Sequence, residues 1–217
     1  MDRQRGAAGS LRERKQRRAR EAIIEAAHAL FEERGFEKVT VSDIAERAEV
    51  GRATFFRYFG DKQEVVFADE GELDEILAEF LGEAGRLPEG DQTGDQSGGQ
   101  IGGPASGPIG DSLPAALALV RAVVVFYVGR LTADPAGYMR HERLVASSPE
   151  LRARSLTKQR RYAELLRDLL AAQGATPETA ALAAEIGMAA YYAARTVTGD
   201  DPARLPAAVE AAFDRLT

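Results

Sequence analysis

The chain has 217 residues, 45% of them hydrophobic and 29% charged, an ordinary globular balance with enough length to bury a sizeable core. It has no cysteine and only two histidines, His28 and His141, which excludes disulfide frameworks, thiol nucleophiles, thiolate metal or iron–sulfur centres and imidazole-rich metal sites. The net charge is −6, yet residues 1–20 carry eight Lys/Arg against Asp2 and Glu13, and residues 1–67 carry 14 basic and 12 acidic groups, so a positive end sits on an acidic body.

That asymmetry suits a chain that offers one end to a polyanion. Residues 1–10 read as a flexible basic arm. From Leu11 to Arg34 the pattern is helical, with Ile23, Ala26, Ala27, Leu30 and Phe31 at spacings of three and four. Gly35 stops this helix. Thr40 and Asp43, three apart, predict a capping-box start for a short helix whose apolar side is Val41, Ile44, Ala45 and Ala48. Gly51 breaks it, a third short helix runs from Arg52 to Phe59, and Asp61 caps a fourth from Lys62 to about Leu81.

Residues 82–112 hold ten of the chain's 21 glycines and three prolines, and read as a disordered Gly-rich loop. Further helices are predicted over 113–132, from Pro135 to about Ser147, from Pro149 to about Gln173, from Pro177 to about Val197, and from after Pro202 to Leu216. The expected fold is all-α, about nine helices, without strands or solenoid repeats. The expected division is an arm over 1–10, a helix-turn-helix DNA-binding domain over 11–61, and a helical regulatory and dimerisation domain over 62–217.

Two very short helices joined by a tight turn form helix-turn-helix geometry. The second of them, Arg52 to Phe59, presents Arg52 and Thr54 near its start, with small Ala53 permitting close backbone approach. Phe55 and Phe59, four apart, share a face suited to packing on the preceding helix. On pattern alone, the corner of a helical bundle is nearly as good a reading.

The run Gly35-Phe36, Val39-Thr40-Val41-Ser42-Asp43-Ile44-Ala45, Val50-Gly51-Arg52-Ala53-Thr54-Phe55-Phe56-Arg57-Tyr58-Phe59 and Lys62 resembles the N-terminal signature of the TetR/AcrR family of bacterial transcriptional regulators. The resemblance covers about residues 17–67. It implies that Thr40 caps the second helix and touches phosphate, that Ser42, Arg52, Thr54, Phe55, Phe56, Arg57 and Tyr58 lie at or near the operator, and that Lys62 holds a phosphate; Ala53 is placed with them for its close backbone approach. Arg17 and Arg18 of the basic stretch join this set. The chain departs from the family's common pattern at Glu49, Gly51, Ala53 and Phe56, where many members carry Gly, Ser, Gly and Tyr.

The resemblance also implies binding of double-stranded DNA at a palindromic operator, a homodimer through the last two helices and release of a repressor by a small-molecule effector. Candidate effector-contacting residues are Phe126, Tyr127, Met139, Leu144, Leu166, Met188, Tyr191 and Tyr192, whose aromatic and thioether side chains suit a largely apolar ligand. No cofactor, metal or membrane partner is expected. No apolar run approaches the roughly 18–20 residues of a membrane span, and the basic N-terminus lacks the apolar segment of a secretory signal, so the expected compartment is the cytoplasm. No catalytic constellation is present: the Gly98–Gly103 stretch has neither a strand before it nor a helix after it. The competing reading is a helical, dimeric protein–protein interaction module without DNA binding.

Overall fold

The Ala-, Leu-, Glu- and Arg-rich sequence favours helix, and the computed structural model, which describes residues 3–68, 73–84 and 108–216, is built of helices. These are α1 (Arg3–Arg34), a 3-10 turn (Phe36–Lys38), α2 (Val41–Arg47), α3 (Arg52–Tyr58), α4 (Lys62–Val66), α5 (Leu73–Ala84), α6 (Leu113–Leu131), α7 (Pro135–Ser147), α8 (Pro149–Ala172), α9 (Pro177–Thr198) and α10 (Leu205–Phe213). The described residues contain no named strand, only an isolated parallel pairing of Gly110 with Ala175.

The all-α expectation therefore holds, with differences in detail. α1 begins at Arg3, so the segment read as a flexible arm is helical from that residue. Ala and Leu at positions 7, 8 and 11 are strong helix formers, which suits a helix that starts this early. There are ten α-helices among the described residues against about nine expected. The predicted helix from Lys62 to about Leu81 is represented by α4 and α5. α4 ends because Phe67 leaves the helical region (φ −98, ψ 6) and turns its N–H back onto the Glu64 and Val65 carbonyls.

The Gly-rich stretch read as disordered over 82–112 needs trimming at both ends. α5 runs to Ala84, and Ile109 is buried, with its N–H donating to the Gln173 carbonyl at 3.0 Å. Gly110 N–H donates to Gly174 O, and Thr176 N–H returns to Gly110 O, both at 3.0 Å. The middle of that reading, residues 85–107, lies outside the described residues.

The contacts divide the chain into two units. The first comprises 1–71 together with 143–154; the second comprises 72–142 and 155–217. This grouping differs from the boundary expected after residue 61, because α4 and the α7–α8 corner pack with the N-terminal helices. In the first unit, Ile23, Ala27, Leu30 and Phe31 of α1 meet Phe36, Ile44, Phe55, Phe59 and Val65, and Val145 and Leu151 close the same core.

The second unit is centred on α6, whose Ala116, Val120, Val123, Val124 and Val128 are buried. By length and mean hydropathy, 1.7, α6 alone among the described helices is long and apolar enough to cross a membrane. The sequence expectation missed this because Arg121 and Arg130 interrupt the apolar run, although the average stays high. Its apolar residues belong to the core of the second unit.

α9 lies against α6 at close range: a Cβ on Gly187 would stand 2.1 Å from Val120 Cγ1, so only glycine fits there. Near the end of α9, Arg195 pairs with Glu142 of α7 and with Asp200, the latter at 2.6 Å. Burial pushes the neighbouring Tyr138 hydroxyl well above its usual range, and the Glu142 carboxylate adds to that shift.

Candidate nucleic-acid interface

The first unit shapes its outer face through local chemistry. Thr40 and Asp43 form a reciprocal capping box at the start of α2: Asp43 N–H donates to Thr40 Oγ1 at 3.2 Å, and Thr40 N–H donates to Asp43 Oδ2 at 2.8 Å. The Thr40 hydroxyl beside Asp43 also holds that carboxyl below its ordinary value. The chain then turns through Glu49, whose φ of 53 is left-handed, and Val50 N–H closes the turn on Ala45 O at 2.9 Å. Gly51 caps α3 through its backbone only, its carbonyl receiving the N–H groups of Thr54 at 2.8 Å and Phe55 at 3.1 Å.

Phe55 anchors α3 with no exposed surface. The exposed residues of α3 are Arg52, Ala53, Phe56 and Arg57, which the 3.6-residue repeat gathers on one side of the helix opposite Phe55. The Arg57 guanidinium lies 5.2 Å from the centre of the Tyr58 ring, and Tyr58 is half-buried. Thr54 is half-buried as well and falls outside the exposed strip. Thr40 and Ser42 are exposed at the start of α2, and Arg17 and Arg18 are exposed on α1.

Two cations of the region are engaged by the protein itself. Lys62, expected at a phosphate, donates from Nζ to the carbonyls of Phe36 at 2.9 Å and Val39 at 3.1 Å, and stands 4.2 Å from the Phe36 ring centre. It ties the start of α4 to the 3-10 turn and to the residue just before the α2 cap. Arg20 donates to Ala68 O at 3.1 Å and lies over the Phe59 ring at 5.6 Å.

A third fixture comes from far along the chain. Arg154 pairs with Asp61 at 2.8 Å and Glu64 at 3.0 Å. Asp61 is the cap of α4, and Glu64 accepts the Gly60 N–H at 2.6 Å, so Arg154 secures the turn that follows α3. Ser148 donates to Glu37 at 2.9 Å, and Gln63 to Glu150 at 3.0 Å. Sequence reasoning missed this set because the partners lie 87 to 111 residues apart and no local periodicity announces them.

The predicted effector residues scatter. Tyr127, Leu166, Met188 and Tyr191 line one small apolar cavity of about 20 Å³ with Val123, Val124 and Tyr162, which had not been singled out. Phe126 instead faces Phe80 at 5.6 Å, and Tyr192 packs on Tyr191 at 5.3 Å. Met139 is exposed, and Leu144 packs in the first unit.

The last two helices, through which a homodimer is expected, turn most of their apolar residues inward. Ala180, Ala183, Ala184, Gly187, Ala190, Tyr191, Leu205, Val209 and Phe213 are buried within the chain. α9 nevertheless leaves Leu182, Ala189, Ala193 and Val197 exposed and Ile186 partly so, spaced three and four apart along one stripe.

Residues 23–68 match the model of the bacterial regulatory proteins of the tetR family. Over 67 residues the chain is 45% identical to the HTH-type transcriptional regulator TcmR of Streptomyces glaucescens, covering 31% of this chain and 30% of that protein. Over 45 residues it is 47% identical to the HTH-type transcriptional regulator YdeS of Bacillus subtilis, covering 21% and 23%. These matches thus span less than a third of either relative. The fatty acid degradation regulator FadR of Bacillus halodurans is similar at 18% identity with a TM-score of 0.45, over 90% of this chain and 93% of that one. With its capping box, tight turn and Phe55-anchored third helix inside the matched stretch, residues 23–68 form a domain like that of the bacterial regulatory proteins of the tetR family.

Proposed function

We propose that this protein is a sequence-specific DNA-binding transcriptional regulator, acting in the cytoplasm as a homodimer that represses until a small, largely apolar ligand releases it from its operator. The observation that carries the reading is the outer strip of α3, where Arg52, Ala53, Phe56 and Arg57 stand exposed on a helix fixed from behind by buried Phe55. A short rigid helix with cations and small groups outward suits the major groove, where Arg binds guanine or phosphate. Arg17 and Arg18, exposed on a helical stretch rich in Lys and Arg, supply the sequence-independent attraction to phosphate. Thr40 and Ser42 at the start of α2 extend the contact, with Thr54 and Tyr58 flanking it.

The α9 stripe of Leu182, Ile186, Ala189, Ala193 and Val197 is the seam offered to a second copy, since small residues between larger ones allow close helix approach. The aromatic cavity is the effector site. At about 20 Å³ it admits little more than a water, so an effector must part the Tyr127, Tyr162 and Tyr191 cluster. A ligand that binds only the parted form shifts the population toward it, and that differential affinity is what couples ligand to DNA.

A mobility-shift titration of the full chain against a randomised duplex pool, at two salt concentrations, tests the reading. The expected product of selection is a palindrome whose half-sites lie about one duplex turn, roughly 34–36 Å, apart, with affinity falling steeply as salt rises. Absence of duplex binding at low salt sinks the reading and leaves a helical interaction module.

A further inference from the structure

Phe56 is 50% exposed, and it is the one exposed large hydrophobic side chain of the first unit among the described residues. The other phenylalanines described there, Phe31, Phe36, Phe55, Phe59 and Phe67, are all buried. The Phe56 ring meets buried Phe55 edge to face at 5.5 Å, so its inner edge is braced while its outer side faces solvent. It sits in the middle of the α3 strip, with Arg52 one turn before it and Ala53 and Arg57 beside it.

A phenyl ring forms no hydrogen bond to a phosphate or to a base edge. On a surface flanked by Arg52 and Arg57, which draw it toward a polyanion, the ring gains only by burying apolar surface there. The major-groove edge of DNA offers one apolar group, the 5-methyl of thymine. We infer that Phe56 is a specificity-determining residue that packs on a thymine 5-methyl group in each half-site. This inference rests on the DNA-binding reading of α3 and adds the base it recognises.

Deoxyuridine tests it, because it lacks that methyl and keeps every hydrogen-bonding group of thymidine. The duplex selected by the full-length chain is resynthesised with deoxyuridine replacing each thymidine in turn, and affinities are measured for the wild type, Phe56→Ala and Phe56→Leu. At one thymidine per half-site the wild type loses about three- to fivefold in affinity, the effect of one buried methyl. Phe56→Ala binds both versions of that duplex equally, and more weakly than the wild type. Phe56→Leu keeps part of the preference. Thermal melts identify any variant that loses affinity by unfolding, and Phe56→Leu then carries the comparison.

Wild-type indifference to deoxyuridine at every position overturns the inference and assigns the ring to sugar contacts or to a protein partner. Full deoxyuridine sensitivity retained by a folded Phe56→Ala, or a selected site without thymine, overturns it equally. Failure to select any duplex defeats the DNA-binding reading itself, so the two failures are distinguishable.

Discussion

Residue 49 is glutamate at a left-handed backbone position, φ 53, in the tight turn between α2 and α3. A side chain with a Cβ pays about 1–2 kcal/mol in that conformation, which glycine avoids at the cost of a freer unfolded chain. Glu49→Gly is therefore expected to raise stability by about 0.5–1 kcal/mol in a denaturant melt. It is also expected to tighten duplex binding most at low salt, since a negative charge leaves the turn beside the interface. A lower melting midpoint would show that Glu49 makes a compensating contact. Lys62 makes the opposite point, that a cation next to the α3 strip can be engaged by the protein's own backbone. Two carbonyls and a phenyl ring occupy its ammonium. Lys62→Met is expected to cost about 1.5–3 kcal/mol of stability, the range for hydrogen bonds to a charged group. It should leave the salt slope of DNA binding unchanged, whereas loss of a phosphate contact would lower that slope by about 1.

Among the elements, α2 was the most legible in advance. Thr40 and Asp43 are three residues apart, their bonds are local, and the sequence pattern is the mechanism. The α3 anchor was legible for the same reason, because Phe55 and Phe59 recur at helical spacing and both are buried. Two other features were not legible. Residues 108–110 share the Gly/Pro composition of the stretch before them, but Ile109 and Gly110 are held by carbonyl and amide groups at residues 173–176, over 60 residues away. In α9, alanines on two faces look alike in sequence, and only burial against α6 separates the inner face from the outer stripe. That stripe makes its own prediction. Leu182→Glu places a charge on the proposed seam at a position that is 51% exposed. The variant is expected to sediment as a folded monomer at micromolar concentration and to lose operator binding by more than tenfold, since one subunit reaches only one half-site. An unchanged dimer would move the seam elsewhere.

Across the molecule, the two units do not follow the chain as consecutive stretches. The first takes 143–154 from the corner between α7 and α8, and Leu151 there has no exposed surface. Leu151→Ala, far in sequence from α3, is expected to cost about 2–5 kcal/mol. The loss should appear as weakened DNA binding, and hydrogen exchange should quicken in α1 and α4 rather than only near the substitution. Exchange confined to residues near 151 would mean that the corner is a passenger in that core.

The same corner bears on how such a protein can be rebuilt. A chimera that transplants only residues 1–71 onto another regulator's body leaves Phe36 and its neighbours without Val145 and Leu151, and leaves Asp61, Glu64 and Glu37 without Arg154 and Ser148. The first unit, proposed to read DNA, is discontinuous. A graft that keeps its specificity carries the twelve residues 143–154 as a second insert, or redesigns the host's matching corner to present an apolar pair and an arginine at those positions.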